Sequence, residues 1–175
     1  MSGVFRSVLV PVEFETPEPD EIAPDRTVEV GDHDLVAIGE CTKRALELTA
    51  RLASGGEVFI VHAIREFASY ATWTTPTRMR ELEDDASRSA RTVLAAIAAQ
   101  YCRGVTLRYV IEPGNALDII LAVAAQRSPE AIVLAASARG RVHRALLGST
   151  ADKVIRQASC PVVVVPHGPG GGVGG

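Results

Sequence analysis

Five short apolar, β-branched runs separated by helical patterns predict an α/β fold: one domain built on an open, parallel, five-stranded sheet with helices on both faces. Three observations carry that prediction. The runs at 8–12, 58–64, 107–111, 131–136 and 162–165 are mostly continuous in hydrophobicity rather than alternating, the mark of strands covered on both sides. Strand and helix patterns alternate through most of the chain, and right-handed crossovers turn that order into parallel neighbours. A chain of 175 residues, 47% of them hydrophobic, buries one sizeable core and leaves little room for a second domain.

Each helix has its own signals. Over 41–53 the residues Ala45, Leu46, Leu48, Ala50, Leu52 and Ala53 fall near helical spacing, and Gly55-Gly56 ends the pattern. A longer helix over 76–103 is opened by Thr75 as N-cap with Pro76 in the first turn, carries Met79, Leu82, Ala86, Ala90, Val93, Leu94 and Ile97 on one face, and stops at Gly104. Glu81, Glu83, Asp84, Asp85, Arg88 and Arg91 read as its solvated side. The helix over 116–127 has Asn115 placed to cap it and Asp118 in its first turn, where negative charge suits the dipole. The last helix, 150–158, is expected to be capped by Ser149.

Two stretches break the alternation. Residues 14–40 are acidic, hold three prolines, and lie where a tight connection between the first strand and first helix belongs. Val28, Val30, Leu35 and Ile38 around Gly31-Asp32 fit a small hairpin. The plain expectation for this insertion is a surface excursion without chemistry, and the alternative is a lid over the strand ends. The remaining domain is expected over 1–166. Residues 167–175, HGPGGGVGG, have almost nothing to bury and read as a disordered tail.

Composition excludes several classes. A formal net charge of −3 speaks against a generally basic, nucleic-acid-binding surface, so any anion site must be local. Cys41, Cys102 and Cys160 are odd in number and unpaired by spacing, and MSGVFRSVLVPV lacks a signal pattern, which together predict a cytoplasmic protein. No apolar run approaches the roughly 20 residues of a membrane span. His33, His143 and His167 share no metal-ligand spacing, so no metal site is expected, and His62, inside an apolar strand, reads as a hydrogen-bonded core residue. No GxSxG elbow, GxxxxGK[ST] loop or GxGxxG turn is present, and no general base is positioned, so no catalytic residue is assigned.

The segment from Ala131 to Pro166 carries the strongest functional signal. It runs from a buried strand through a small-residue, arginine-rich loop to a helix opened by Gly148-Ser149-Thr150, and then to a final strand. That order aims free backbone N–H groups at a point beyond the strand's carboxyl end, where an anion is held by aligned dipoles.

SVLVPVEF, EVFIVHAI, VIEPGNALDIILAVAAQ and IVLAASARGRVHRALLGSTADKVIRQASCPVVVVP, in that order, resemble the universal stress proteins, over nearly everything except 14–40 and the tail. The resemblance implies a parallel sheet in the order 3-2-1-4-5, homodimers and, in one subgroup, an ATP site. That subgroup's motif is glycine, two residues, glycine, nine residues, then glycine with serine or threonine. Laid on this chain it falls on Ala135, Ala138 and Gly148, followed by Ser149 and Thr150. Both alanines weaken the match if their positions need a positive φ. Arg139, first among the loop's Arg139, Arg141, His143 and Arg144, is the candidate for a compensating phosphate contact. By the same resemblance the base and ribose lie near Pro11, Val12 and Glu13, where the family usually has aspartate, with the backbone of Ala63 beside the ring.

The last strand, Val162–Val165 between Pro161 and Pro166, is an edge in the implied order, and its pairing with a second copy predicts the homodimer. Three functions compete: a stress-response regulator that binds ATP or a related adenine nucleotide, with or without magnesium; a family member without nucleotide acting as a dimeric interaction module; and a slow ATPase.

Overall fold

A computed structural model describes residues 3–16, 23–31, 34–64, 74–136 and 149–166. Their elements follow in the order β1 (Ser7–Pro11), β2 (Thr27–Val30), β3 (Asp34–Ala37), α1 (Glu40–Leu52), β4 (Glu57–Ile64), α2 (Pro76–Tyr101), β5 (Thr106–Pro113), α3 (Ala116–Arg127), β6 (Ala131–Ala135), α4 (Ser149–Gln157) and β7 (Val162–Val165). Five strands form one parallel sheet in the order β5-β4-β1-β6-β7, which is the predicted 3-2-1-4-5 order, with β1 at its centre. The glutamine-terminated last helix starts at Ser149, so that residue opens the helix and does not stand outside it as a cap.

Alternation along β1 divides the interior. Val8 and Val10 belong to a cluster with α1, α2 and their neighbours, while Leu9 faces the other way onto Ile119, Ile120 and Val123 of α3 and Val154 of α4. All three β1 residues are fully buried, as strands covered on both faces must be.

The expected helix signals are used. Thr75 Oγ1 accepts from the Arg78 amide at 3.3 Å with Pro76 at the first position, and Asn115 Oδ1 accepts from the Leu117 amide at 2.9 Å. Gly56 is required for a different reason than a turn: a Cβ there would meet the Arg6 carbonyl oxygen at 2.5 Å. The chain enters β4 by pressing its backbone against β1.

The 14–40 insertion departs from the surface excursion expected of it. β2 and β3 pair antiparallel, Val28 with Val36 and Val30 with Asp34, and Gly31 turns with φ +61°. Val28, Val30, Val36 and Ile38 are buried in the same cluster as α1 and α2, and β2 packs on α2. Leu35, expected among the hairpin's apolar contacts, faces outward opposite Glu29. The physical reason is a period of two that runs through both strands, 28 and 30 on one, 36 and 38 on the other. Glu15 and Ala37 exchange two backbone hydrogen bonds of 3.0 and 2.8 Å, tying the hairpin to the chain leaving β1.

Candidate functional site

A cavity of about 650 Å³ opens at the carboxyl ends of β1, β4 and β6, the place where open α/β sheets hold ligands. Pro11, Val12 and Glu13 leave β1 along one side, Ala63 stands near the end of β4, Ala135 and Ala136 at the end of β6, and Ser149 and Thr150 at the start of α4. Seven sequence-predicted positions thus meet around one space, although they come from four separated segments. Ala138, Arg139 and Gly148 lie outside the described residues, as do Arg141, His143 and Arg144.

The strand-end wall is a main-chain surface. Val12 N–H donates to the Val61 carbonyl at 2.9 Å, the last step of the β1–β4 ladder. The alternation of a parallel pair then turns the peptide groups of Ala63 toward the β1 side, where the cavity lies. The next β1 carbonyl, that of Val12, accepts the Nδ1–H of His62 at 2.8 Å. Because a carbonyl only accepts, that contact places a proton on Nδ1. The His62 ring also stacks on Phe14, with centroids 4.5 Å apart and planes 18° off parallel. His62 is hydrogen-bonded, as expected, but half-buried and braced against the site, not sealed in the core.

Ala135 pairs with Val165 inside the β6–β7 ladder, and among the described residues the one non-glycine with positive φ is Ser128. A side chain at position 135 is therefore unstrained, and its cost to a ligand is one methyl group of space. Ser149 and Thr150 are exposed at the first turn of α4, where amide N–H groups have no intrahelical acceptor.

The insertion contributes the second wall, on the side where the alternative expectation of a lid places it, although none of its residues is among the expected site positions. Phe14, Glu15, Arg26 and Ala37 line it, joined by Gly39, Glu40, Cys41 and Thr42 from the start of α1. Arg26 Nε lies 3.8 Å from Glu40 Oε2 and 3.8 Å from Asp25 Oδ1, and Lys43 Nζ bonds Asp25 Oδ2 at 2.9 Å. The signal that would have located this wall is the buried period-two pattern of β2 and β3, which with the Glu15–Ala37 bridge holds Phe14, Glu15 and Arg26 beside the strand ends. Among the described lining residues the charged groups are Glu13, Glu15, Glu40 and Arg26.

Among the described lining residues the one thiol is Cys41. Burial pushes the Cys41 thiol above its ordinary value, as it does Cys160, and takes Cys102 up to about 11. These thiols stay protonated at neutral pH and are poor nucleophiles. Cys41, Cys102 and Cys160 form no disulfide. Among the described residues no cluster of histidine, cysteine and carboxylate side chains has metal-binding geometry, and no helix is long and apolar enough to cross a membrane.

Known structures share this fold. The fold matches hypothetical protein MJ0577 with a TM-score of 0.66 at 18% identity, over 95% of this chain and 99% of that one. It matches universal stress protein UspA from Lactobacillus plantarum with a TM-score of 0.55 at 19% identity, over 94% and 99%. A universal stress protein family protein from Arabidopsis thaliana, At3g01520, with AMP bound, gives 0.55 at 17% identity, over 93% and 92%. No curated protein sequence matches the chain. The model of the universal stress protein family matches residues 32–166, well over half of the sequence. With that match and the parallel sheet in its 3-2-1-4-5 order, the chain belongs to the universal stress protein family.

Proposed function

We propose that this chain binds an adenine nucleotide in the strand-end cavity and serves as a stress-response regulator that reads nucleotide occupancy. The observation that carries the reading is the convergence of Pro11, Val12, Glu13, Ala63, Ala135, Ser149 and Thr150 on one cavity of about 650 Å³, a size that suits a nucleotide-sized ligand. The residues fit the parts of such a ligand. Ala63 offers main-chain groups to the edge of a base, Glu13 accepts from ribose hydroxyls, and the Ser149 and Thr150 amides and hydroxyls meet phosphate at a helix N-terminus. Arg139 is the loop residue proposed to add a guanidinium contact. The AMP bound to the Arabidopsis thaliana relative supports an adenine nucleotide as the class of ligand.

The charge of the described lining favours a second reading. Glu13, Glu15 and Glu40 against Arg26 make an anion less welcome there, and Ala135 stands where the nucleotide-holding subgroup has glycine. On that reading the protein is a nucleotide-free interaction module. Both readings include a homodimer paired through Val162–Val165, the strand at one end of the sheet.

Calorimetric titration with ATP, with and without magnesium, separates them. Micromolar heat with intact ATP is the expected result, and Gly148→Leu is expected to remove it. No heat supports the interaction module, released phosphate supports an ATPase, and heat that survives Gly148→Leu means the phosphate end is elsewhere.

A further inference from the structure

The opposite end of the sheet carries a second concavity, a groove of about 310 Å³ along β5. β5 pairs with β4 over all eight of its residues and, among the described residues, has no strand on its other side. The Thr106 amide donates to Gly56 O at 2.8 Å and the Gly114 amide to Ile64 O at 3.1 Å. In a parallel pair the bonding residues alternate, so the peptide groups of Arg108, Val110 and Glu112 also turn toward β4. The N–H and C=O groups of Leu107, Tyr109 and Ile111 are left facing outward, in a row repeating about every 6.6 Å.

Arginines flank that row on both faces of the sheet. Arg91 of α2 lies over the Tyr109 ring, 5.5 Å from its centroid, and Tyr109 packs with the α2 cluster. Arg127 sits in the last turn of α3, whose cluster takes Val110 from the other face. Neither Arg91 nor Arg127 has a carboxylate within ion-pairing distance among the described residues, whereas Arg88 is held by Asp85. Glu112 is the carboxylate in the lining, so the groove is net positive in a protein that is net negative.

We propose that the outer edge of β5 docks an extended acidic peptide segment of a partner protein, which adds to the sheet as a further strand. Successive side chains of a strand point to opposite faces, so neighbouring carboxylates on such a segment meet Arg91 on one side and Arg127 on the other while its backbone pairs with Leu107, Tyr109 and Ile111. A small anion uses the arginines and leaves the row of edge groups without partners. The strand at the other edge differs in kind: β7 has four residues closed by Pro161 and Pro166, a length that limits how far any pairing there can extend, and it is the edge proposed above to meet a second copy.

The test uses a fluorescein-labelled short peptide of alternating glutamate pairs and valines, followed by fluorescence anisotropy on the full chain. Saturable binding is expected, falling roughly tenfold or more in the Arg91→Glu, Arg127→Glu double variant, with far-UV circular dichroism unchanged. Arg127→Glu alone, at an exposed position, gives a smaller loss of the same sign if the double variant folds poorly. Alternate N-methylation of the peptide is expected to abolish binding without any change to the protein, and amide exchange at Leu107, Tyr109 and Ile111 is expected to slow in the complex. The proposal is overturned by no binding, by equal binding of the N-methylated or the lysine-for-glutamate peptide, or by equal binding of a single-stranded oligonucleotide.

Discussion

The two walls of the strand-end cavity differ in what holds them and in what they present. The strand-end wall, Pro11, Val12, Ala63 and Ala135, is set by a parallel ladder that runs through the whole sheet. The hairpin wall, Phe14, Glu15, Arg26 and Ala37, is set by a four-residue antiparallel pair, one two-bond bridge to Glu15, and a few ion pairs. The first offers methyl groups and peptide edges, and the second offers an aromatic ring and charge. On the proposed reading a ligand's position is governed by the sheet, and its permitted charge by Glu13 at the strand end together with Glu15, Arg26 and Glu40.

The comparison breaks first if the hairpin is not part of the core. Leu46 of α1 is fully buried and Ile38, just past β3, is 2% exposed. Leu46→Ala and Ile38→Ala are each expected to cost about 3 kcal/mol, the range for large apolar residues emptied into a packed interior. Urea denaturation reads both. A cost below about 1 kcal/mol for Ile38→Ala, beside a full cost for Leu46→Ala, returns the insertion to the rank of surface decoration.

Phe14 joins the two walls through its stack on His62. Removing a half-buried aromatic pair of this kind costs about 1 kcal/mol beyond the lost burial. Phe14→Ala is therefore expected to lower stability by roughly 1–2 kcal/mol, a step below the core substitutions, with the Glu15–Ala37 bridge and the His62 to Val12 hydrogen bond left in place. A Phe14→Ala, His62→Ala double-mutant cycle with no coupling energy separates the walls completely.

Ala135→Gly sharpens the strand-end wall. Its backbone is ordinary strand, so glycine relieves no strain and removes one methyl group from the lining. The expected change in nucleotide affinity is less than about threefold, below 1 kcal/mol, by the same calorimetric titration. A gain of tenfold or more shows that the methyl group itself blocks the ligand.

Most of the framework was legible in the sequence, and the reason is local. The continuous valine and isoleucine runs of β1, β4, β6 and β7 have one physical reading as doubly covered strands, and Thr75-Pro76 and Asn115 are caps whose chemistry is confined to a few residues. β5 departs from the doubly buried strand expected over 107–111: Leu107, Tyr109, Val110 and Ile111 are only half-buried and the rest exposed, because the strand lies at an edge of the sheet. The hairpin was legible as a hairpin but not as core, because Val28, Val36 and Ile38 are buried by α1 and α2, which lie far along the chain. The same holds for the second wall: a lid was one expectation for 14–40, but nothing near Phe14 or Arg26 singles them out as residues that line one cavity with Ala63. His62 marked itself only as a polar residue in an apolar strand, and its partners Val12 and Phe14 are tertiary.

The smallest effect expected concerns the ion pair that fastens the hairpin to α1. Lys43 donates to Asp25 at 2.9 Å, and the Tyr101 hydroxyl reaches the Asp25 carbonyl at 3.0 Å. The Lys43 hydrogen bond holds the Asp25 carboxyl below its ordinary 3.8, and the same bond holds Lys43 above its ordinary 10.5. A lowered carboxyl gives stability that is present above 3.8 and lost as pH falls through the folded value. A raised ammonium gives stability that is present below 10.5 and lost as pH rises through its folded value. The difference in Tm between the protein and Asp25→Asn is thus expected to be flat between about pH 5 and 9 and to shrink at both extremes. Asp25 is exposed, so the plateau is small and contracts further in about 1 M salt, where screening acts over about 3 Å. A difference that instead grows as pH falls below 3.8 assigns the hairpin's attachment to its buried valines and Ile38 alone, and the charged side of the second wall is then free to respond to a ligand without loosening the fold.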